Sequence, residues 1–217
     1  MKKKLTVPLI DQTDHWPTGC ESVSAVMVLQ SLGLDISVDR FITSFLPKGE
    51  MHLTRDAGCV GDVCIGTGPD PDEYFAGDPY SEAAFGCYPG VIVKACNAVF
   101  NSFGAPFRAV DGTGAGPEVY RRSIDKGVPV IYWATLCFEP AVYGPKWQIA
   151  GTERTLTWHS REHCLVLTGY DDENNLFFFN DPWDHHEEIA VPQALCEKRH
   201  LEQGGRAVLI EHIKKFV

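Results

Sequence analysis

The sequence predicts an α+β fold, and three observations carry the prediction. Helical patterns crowd the first half of the chain. Strand-like runs crowd the second half: "VPVIYWATL", "HCLVLTGYD", "LFFFND" and "RAVLIEHI". The composition, 44% hydrophobic and 22% charged over 217 residues, suits a packed core and a single domain spanning 1–217.

Taken in order, Val7–Asp11 reads as a short extended lead-in. Glu21–Leu32 has apolar residues at Val23, Val26, Met27 and Leu29, and Gly33 follows as a stop, so a mostly buried helix is expected. Asp39–Leu46 reads as a second, shorter helix closed by Pro47. From Gly49 to Gly90 the periodicity fades into Gly, Pro and Asp. This stretch is expected to be a long ordered loop near the cleft. Tyr74, Phe75, Tyr80, Phe85 and Tyr88 are too many aromatics to leave in water. Val91–Phe103 resumes a helix, stopped by Gly104, and Pro117–Asp125 is another. The four strands follow: Val128–Leu136, His163–Asp171, Leu176–Asp181 and Arg206–Ile213.

The formal charge of −10 argues against a nucleic-acid or anionic-membrane binder, because phosphate surfaces need basic patches. The only basic run, Lys2–Lys4, meets Asp11 and Asp14 before any apolar stretch of signal-peptide length. No segment approaches the roughly 20 apolar residues of a membrane span. A soluble, cytoplasmic protein is expected, although a signal removed ahead of residue 1 would leave no trace. The eight cysteines contain no CxxC, and a disulfide scaffold is not expected. Oligomeric state is not legible.

Cys20 stands where a loop becomes a helix. Thr18 and Glu21 read as a capping box with Thr18 as N-cap, which would put Cys20 at the second helical position. Unpaired N–H groups and the positive helix end there favour a thiolate on a surface-facing thiol. A base is required, and His163 opens a strand run. If residues 170 and 174 pair across the following turn, so do 163 and 181. His163 and Asp181 would then share one sheet face. Cysteine, histidine and an orienting aspartate follow the logic of a cysteine-peptidase triad. Gln12, eight residues before Cys20, could aim its side-chain amide at an oxyanion beside the Cys20 N–H.

At these residues the sequence resembles the C39-like branch of papain-like cysteine peptidases. The pieces are "VPLIDQ", "PTGCESVSAVMVLQSLG", "DPYSEAAFGCYPGVIVKACN", "PVIYWAT", "EHCLVLTGYDD" and "FFFNDPW", within residues 7–183. Classical papain-type enzymes carry an aromatic after the cysteine and Asn as third member; here Glu21 and Asp181 stand there. The resemblance implies a papain-like fold in which a helix bearing Cys20 packs on an antiparallel sheet bearing His163 and Asp181. It implies Gln12 as oxyanion donor, a peptide or protein substrate, and no metal or organic cofactor. The chain has no transporter segment, so cleavage after a double glycine is not carried over.

Other candidates have blander readings beside them. His159 could replace His163 but precedes the strand and lacks an Asp at hairpin spacing. His185 and His186 read as a solvated turn, since adjacent residues on an extended segment point apart. Cys59 and Cys64 could be half of a zinc site, without a matching pair. Cys164 reads as core. Trp133, Trp147 and Trp158 could wall the cleft or simply pack, and Trp183 is the best placed to shield the triad. The expected activity is a thiol hydrolase, a peptidase working through an acyl-enzyme on Cys20. The alternatives are an acyltransferase or transglutaminase-like enzyme resolving the same thioester with an amine, and a non-catalytic binding protein on the same fold.

Overall fold

The structure is a computed structural model describing residues 1–56, 58, 61–183 and 188–213. Cys59, His185 and His186 lie outside the described residues. The helices are α1 (Cys20–Ser31), α2 (Val38–Ser44), α3 (Pro89–Phe103), α4 (Pro117–Asp125) and α5 (Gln193–Glu202). The strands are β1 (Lys2–Lys4), β2 (Lys48–Gly49), β3 (His52–Leu53), β4 (Cys64–Gly68), β5 (Phe75–Ala76), β6 (Phe107–Asp111) and β7 (Val130–Thr135). They continue with β8 (Val142–Ile149), β9 (Thr155–Ser160), β10 (Glu162–Asp171), β11 (Leu176–Asn180), β12 (Ile189–Pro192) and β13 (Ala207–His212).

The main sheet is antiparallel, ordered β12-β11-β10-β7-β13-β6, and β1 pairs with β10 beyond the end of β7. One face carries Ile131, Trp133, Cys164, Val166, Val208 and Ile210, and packs on α1 and α3. The other carries Tyr132, Leu165, Leu167, Phe177 and Phe179, and packs on Tyr120 and Ile124 of α4 and Cys196 of α5. Helices on both faces explain why β10 is buried along nearly its whole length rather than on alternate residues. The same covering explains α1, whose residues Cys20 to Leu29 are all buried. The α3 helix is one-sided. Val91, Ile92, Ala95, Cys96, Val99 and Phe100 face the core, Pro89 opens it, and Gly104 closes it at φ +60°.

Two expectations are corrected here. The segment 49–90 is not a strandless loop. Its β3 and β4 join β8 and β9 in a second sheet, ordered β3-β4-β8-β9, over a small core of Ile65, Ala76, Tyr88, Trp147 and Trp158. Phe75 and Tyr88 are buried as expected, but Tyr74 and Tyr80 are exposed. His159 precedes the His163 strand as expected, but it lies on a strand of its own, β9, opposite Tyr143. The β9 signal was present: Leu156 and Trp158 alternate with Thr155, Thr157 and His159. The Gly144-Pro145 pair inside β8 hid its partner.

Candidate active site

Cys20 is the first residue of α1, with Gly19 as N-cap and no side-chain cap. The capping box is therefore corrected. Thr18 donates its hydroxyl to the Ser81 carbonyl at 3.0 Å instead, tying the helix start to segment 78–84. Glu21 turns inward: it accepts the Cys87 N–H at 2.5 Å and the Cys20 thiol at 3.4 Å. The physical reason is burial. Residue 21 points into the interior, where the Cys87 amide engages its carboxyl.

His163 and Asp181 do meet, with Nε2 and Oδ1 2.6 Å apart. They meet by a register other than the expected one. Tyr170 pairs with Phe177 and Asp171 with Leu176, a turn looser than the 170–174 pairing. A bulge between Leu167 and Gly169 then slips the ladder by one, so that Val166 faces Asn180. A one-residue slip exchanges sheet faces, so this bulge is what returns 163 and 181 to the same side. Asp181 Oδ1 also accepts the Trp183 N–H at 3.0 Å. His163 is 2% exposed and Asp181 2%.

Gln12 is buried beside the same turn. Its backbone N–H donates to the Pro182 carbonyl at 2.8 Å, and its side-chain amide donates to the Pro17 carbonyl at 3.2 Å. Its Oε1 is buried without a partner. The amide keeps a second N–H for another acceptor.

Cys20 is not hydrogen-bonded to His163. Nor does it face the surface as expected; it is 5% exposed, in the main core. The thiol lies against Glu21, Glu162 and Cys164. Burial pushes its pKa well above the ordinary thiol value, and the negative potential of Glu21 and Glu162 adds to the push. Only the Cys164 amide works the other way. The helix end does not overcome this, so the expectation of a lowered thiol pKa is corrected.

Glu162 was missed in the sequence, and so was the role of Glu21. The Cys20 sulfur and carboxylate oxygens of both residues lie within 4.8 Å of one another. Among the described residues this is the one grouping with metal-ligand chemistry. Glu21 already has both oxygens engaged by the Cys20 thiol and the Cys87 amide. The remaining candidates separate. The His159 ring packs edge-on against Tyr143 at 5.0 Å, and its base role finds no support. Trp147 and Trp158 pack in the small core and Trp133 in the large one, so none of the three is cleft wall. Cys164 is core, as expected. Cys64 and Cys137 are exposed cysteines.

The sequence matches the Peptidase_C39 like family over residues 4–208. No curated protein is similar enough to count as a relative. A crystal structure of a candidate C39-like peptidase from Bacillus anthracis superposes with a TM-score of 0.78 at 24% identity, covering 99% of this chain and 100% of that one. That likeness shows a shared fold. A double glycine motif protease from an AMS/PCAT transporter, in complex with its leader peptide, gives 0.45 at 13% identity over 98% and 99%. It is too distant to bear on this chain.

Proposed function

The chain belongs to the Peptidase_C39 like family, and from that premise we propose that it is a cysteine peptidase, a thiol hydrolase of peptide bonds. Cys20 attacks the scissile carbonyl and passes its proton to His163. His163 then protonates the leaving amine, and Asp181 holds the imidazole by Nε2 so that Nδ1 serves the thiol. Gln12 and the Cys20 N–H stabilise the oxyanion, and water resolves the acyl-enzyme. The observation that carries the reading is the 2.6 Å His163–Asp181 contact at the end of the strand packed against α1. No metal or organic cofactor enters the scheme. Segment 49–90 supplies the acyl-side cleft. A cavity of about 500 Å³ opens there, lined by Lys48, Met51, Leu53, Asp78 and Ala84. Among the described residues no helix is long and apolar enough to cross a membrane. A cytoplasmic setting is proposed on the sequence pattern alone, since the eight cysteines do not have the spacing of a disulfide scaffold.

A second reading has one observation behind it. A buried thiol flanked by two carboxyls also suits a protein of this fold that binds without turnover. Labelling decides between them. A small thiol-directed probe should modify Cys20 faster than the exposed Cys64 and Cys137, and His163→Ala should remove the preference. Fast labelling of Cys64 and Cys137 with Cys20 left unmodified would overturn the peptidase reading.

A further inference from the structure

Two carboxyls meet beside the thiol, the Glu21 side chain buried and Glu162 half-buried with its Oε1 inside. Glu21 comes from the first turn of α1 and Glu162 from the start of β10. A Cβ placed on Gly86, which crosses over them at φ +135°, would lie 2.4 Å from Glu21 Oε1 and 3.1 Å from Glu162 Oε2. Only glycine lets the chain pass this close. Glu162 Oε1 is buried without a hydrogen-bond partner. The Trp133 indole N–H donates to the Cys87 carbonyl at 3.2 Å and also favours the charged Glu162 carboxylate, against the push of burial. Arg206 attracts Glu162 from beyond ion-pair distance. Its guanidinium sits 3.5 Å over the Tyr88 ring and donates to the Gln203 carbonyl.

Two buried negative charges at this separation, with no cation in contact, are strongly unfavourable. One proton between them removes the conflict. We propose that Glu21 and Glu162 form a proton-sharing carboxyl pair that gates the ionisation of Cys20: with the proton held the thiolate can form, and with the proton lost the thiol stays protonated. Both are positioning residues for the nucleophile. The proposal rests on the reading of Cys20 as nucleophile and His163 as its base. The thiol proton still passes to His163; the pair decides how much negative potential the sulfur meets.

The titratable and charged groups facing the pair are few. Cys20 comes from α1, His163 and Cys164 from β10, Cys87 and Tyr88 from the segment entering α3, and Arg206 from the segment entering β13. Burial pushes the Glu21 carboxyl up to about 7, against its hydrogen bonds from Cys87 and Cys20. Glu162 is pushed up further by burial and by Glu21. The gate therefore works near neutral pH. As pH rises through about 7, Glu21 gains charge and opposes the ionisation of its neighbour.

The test is the pH profile of Cys20 alkylation by iodoacetamide, mapped by mass spectrometry, with Cys64 and Cys137 as internal references. Glu21→Gln, Glu162→Gln and His163→Ala are compared with the parent. Glu21→Gln keeps an acceptor for the Cys87 N–H and offers the sulfur a donor. Its apparent alkylation pKa should fall by about one unit or more, and that of Glu162→Gln by less. Unchanged profiles in both, with His163→Ala still slowing Cys20, would overturn the pair and leave the triad standing. Shifted profiles in both, with His163→Ala inert, would uphold the pair and remove His163 as base. Should Glu21→Gln not fold, infrared difference spectra of the parent protein serve instead. A buried protonated carboxyl band should be lost as pH rises through neutrality, and its absence at every pH would also overturn the pair.

Discussion

The two halves of the site are built on opposite electrostatic plans. On the imidazole side, His163 faces Asp181 at 2.6 Å, and the Trp183 amide donates to the same carboxylate. Any charge the ring gains is met by an opposite one. On the thiol side, Cys20 faces Glu21 and Glu162, and any charge the sulfur gains is met by like charge. The imidazole has an opposite charge beside it, and the thiol has like charges beside it. On the proposed reading, the contrast puts the harder ionisation at the thiol and its control in the two carboxyls.

The largest expected effect tests the imidazole side. Asp181→Ala removes the carboxylate paired with His163, and on the proposed reading turnover should fall about ten-thousandfold, the size of the loss when the orienting aspartate of a triad is replaced. Asp181→Asn should fall less, since Asn can still accept a hydrogen bond from an imidazole N–H. Equal loss in both would mean that the charge of Asp181, not its geometry, matters. The next effect tests the thiol side. Gly86→Ala places a Cβ against the Glu21 carboxyl at a backbone angle that L-residues avoid. A loss of about 3 kcal/mol in unfolding free energy is expected. A urea midpoint that does not move would show that the carboxyl pair has more room than its geometry implies. Gln12→Ala comes third. Losing one oxyanion donor should lower kcat about tenfold to a thousandfold with KM little changed. A pure KM effect would make Gln12 a binding residue.

The same contrast marks what was legible in the sequence. The His163–Asp181 meeting could be read because strand alternation is local and the turn between the two strands is short. Even so, the pairing was misjudged, and only the bulge at residues 167–169 brought the two back to one face. The α4 boundaries and the C-terminal end of α3 match the sequence reading because Pro and Gly punctuate them chemically, whereas α3 begins at Pro89, two residues before the expected Val91. The carboxyl pair could not be read. It forms from residues 21 and 162 with 86 and 87 crossing over them, an encounter that depends on how α1 lies on β10. The Glu21 motif misled for a related reason. A T-x-x-E spacing is evidence for a cap only when the glutamate is free to turn back, and burial forbids that here. The small second sheet was missed because its strands are short and one is broken by Gly144-Pro145.

The smallest effect separates the site from the scaffold, and it concerns a third histidine. His200 is buried in α5. Its Nδ1 donates to the Trp133 carbonyl at 2.8 Å, its Nε2 lies 2.9 Å from the Tyr120 hydroxyl, and the ring stacks on Tyr132. With Nδ1 as donor, Nε2 accepts from the hydroxyl, so the neutral ring is fully satisfied and a second proton has no place. Burial holds its pKa at about 4, below the ordinary histidine value of 6.5, and the bond to Trp133 only partly offsets this. The unfolded chain therefore binds a proton between pH 6.5 and 4 that the folded chain refuses. The stability His200 contributes is present above about 6.5 and lost as pH falls toward 4. By pH 5.5 the loss is about 1.4 kcal/mol, from the tenfold protonation of the unfolded state one unit below its pKa. Because protonation of Glu21 acts in the opposite sense over the same range, the readout is a difference: the change in urea unfolding free energy between pH 7.5 and 5.5 should differ by this amount between the parent and His200→Gln. An acid limb in the labelling of Cys20 that disappears with His200→Gln would come from the scaffold. One that persists belongs to the thiol and its two carboxyls.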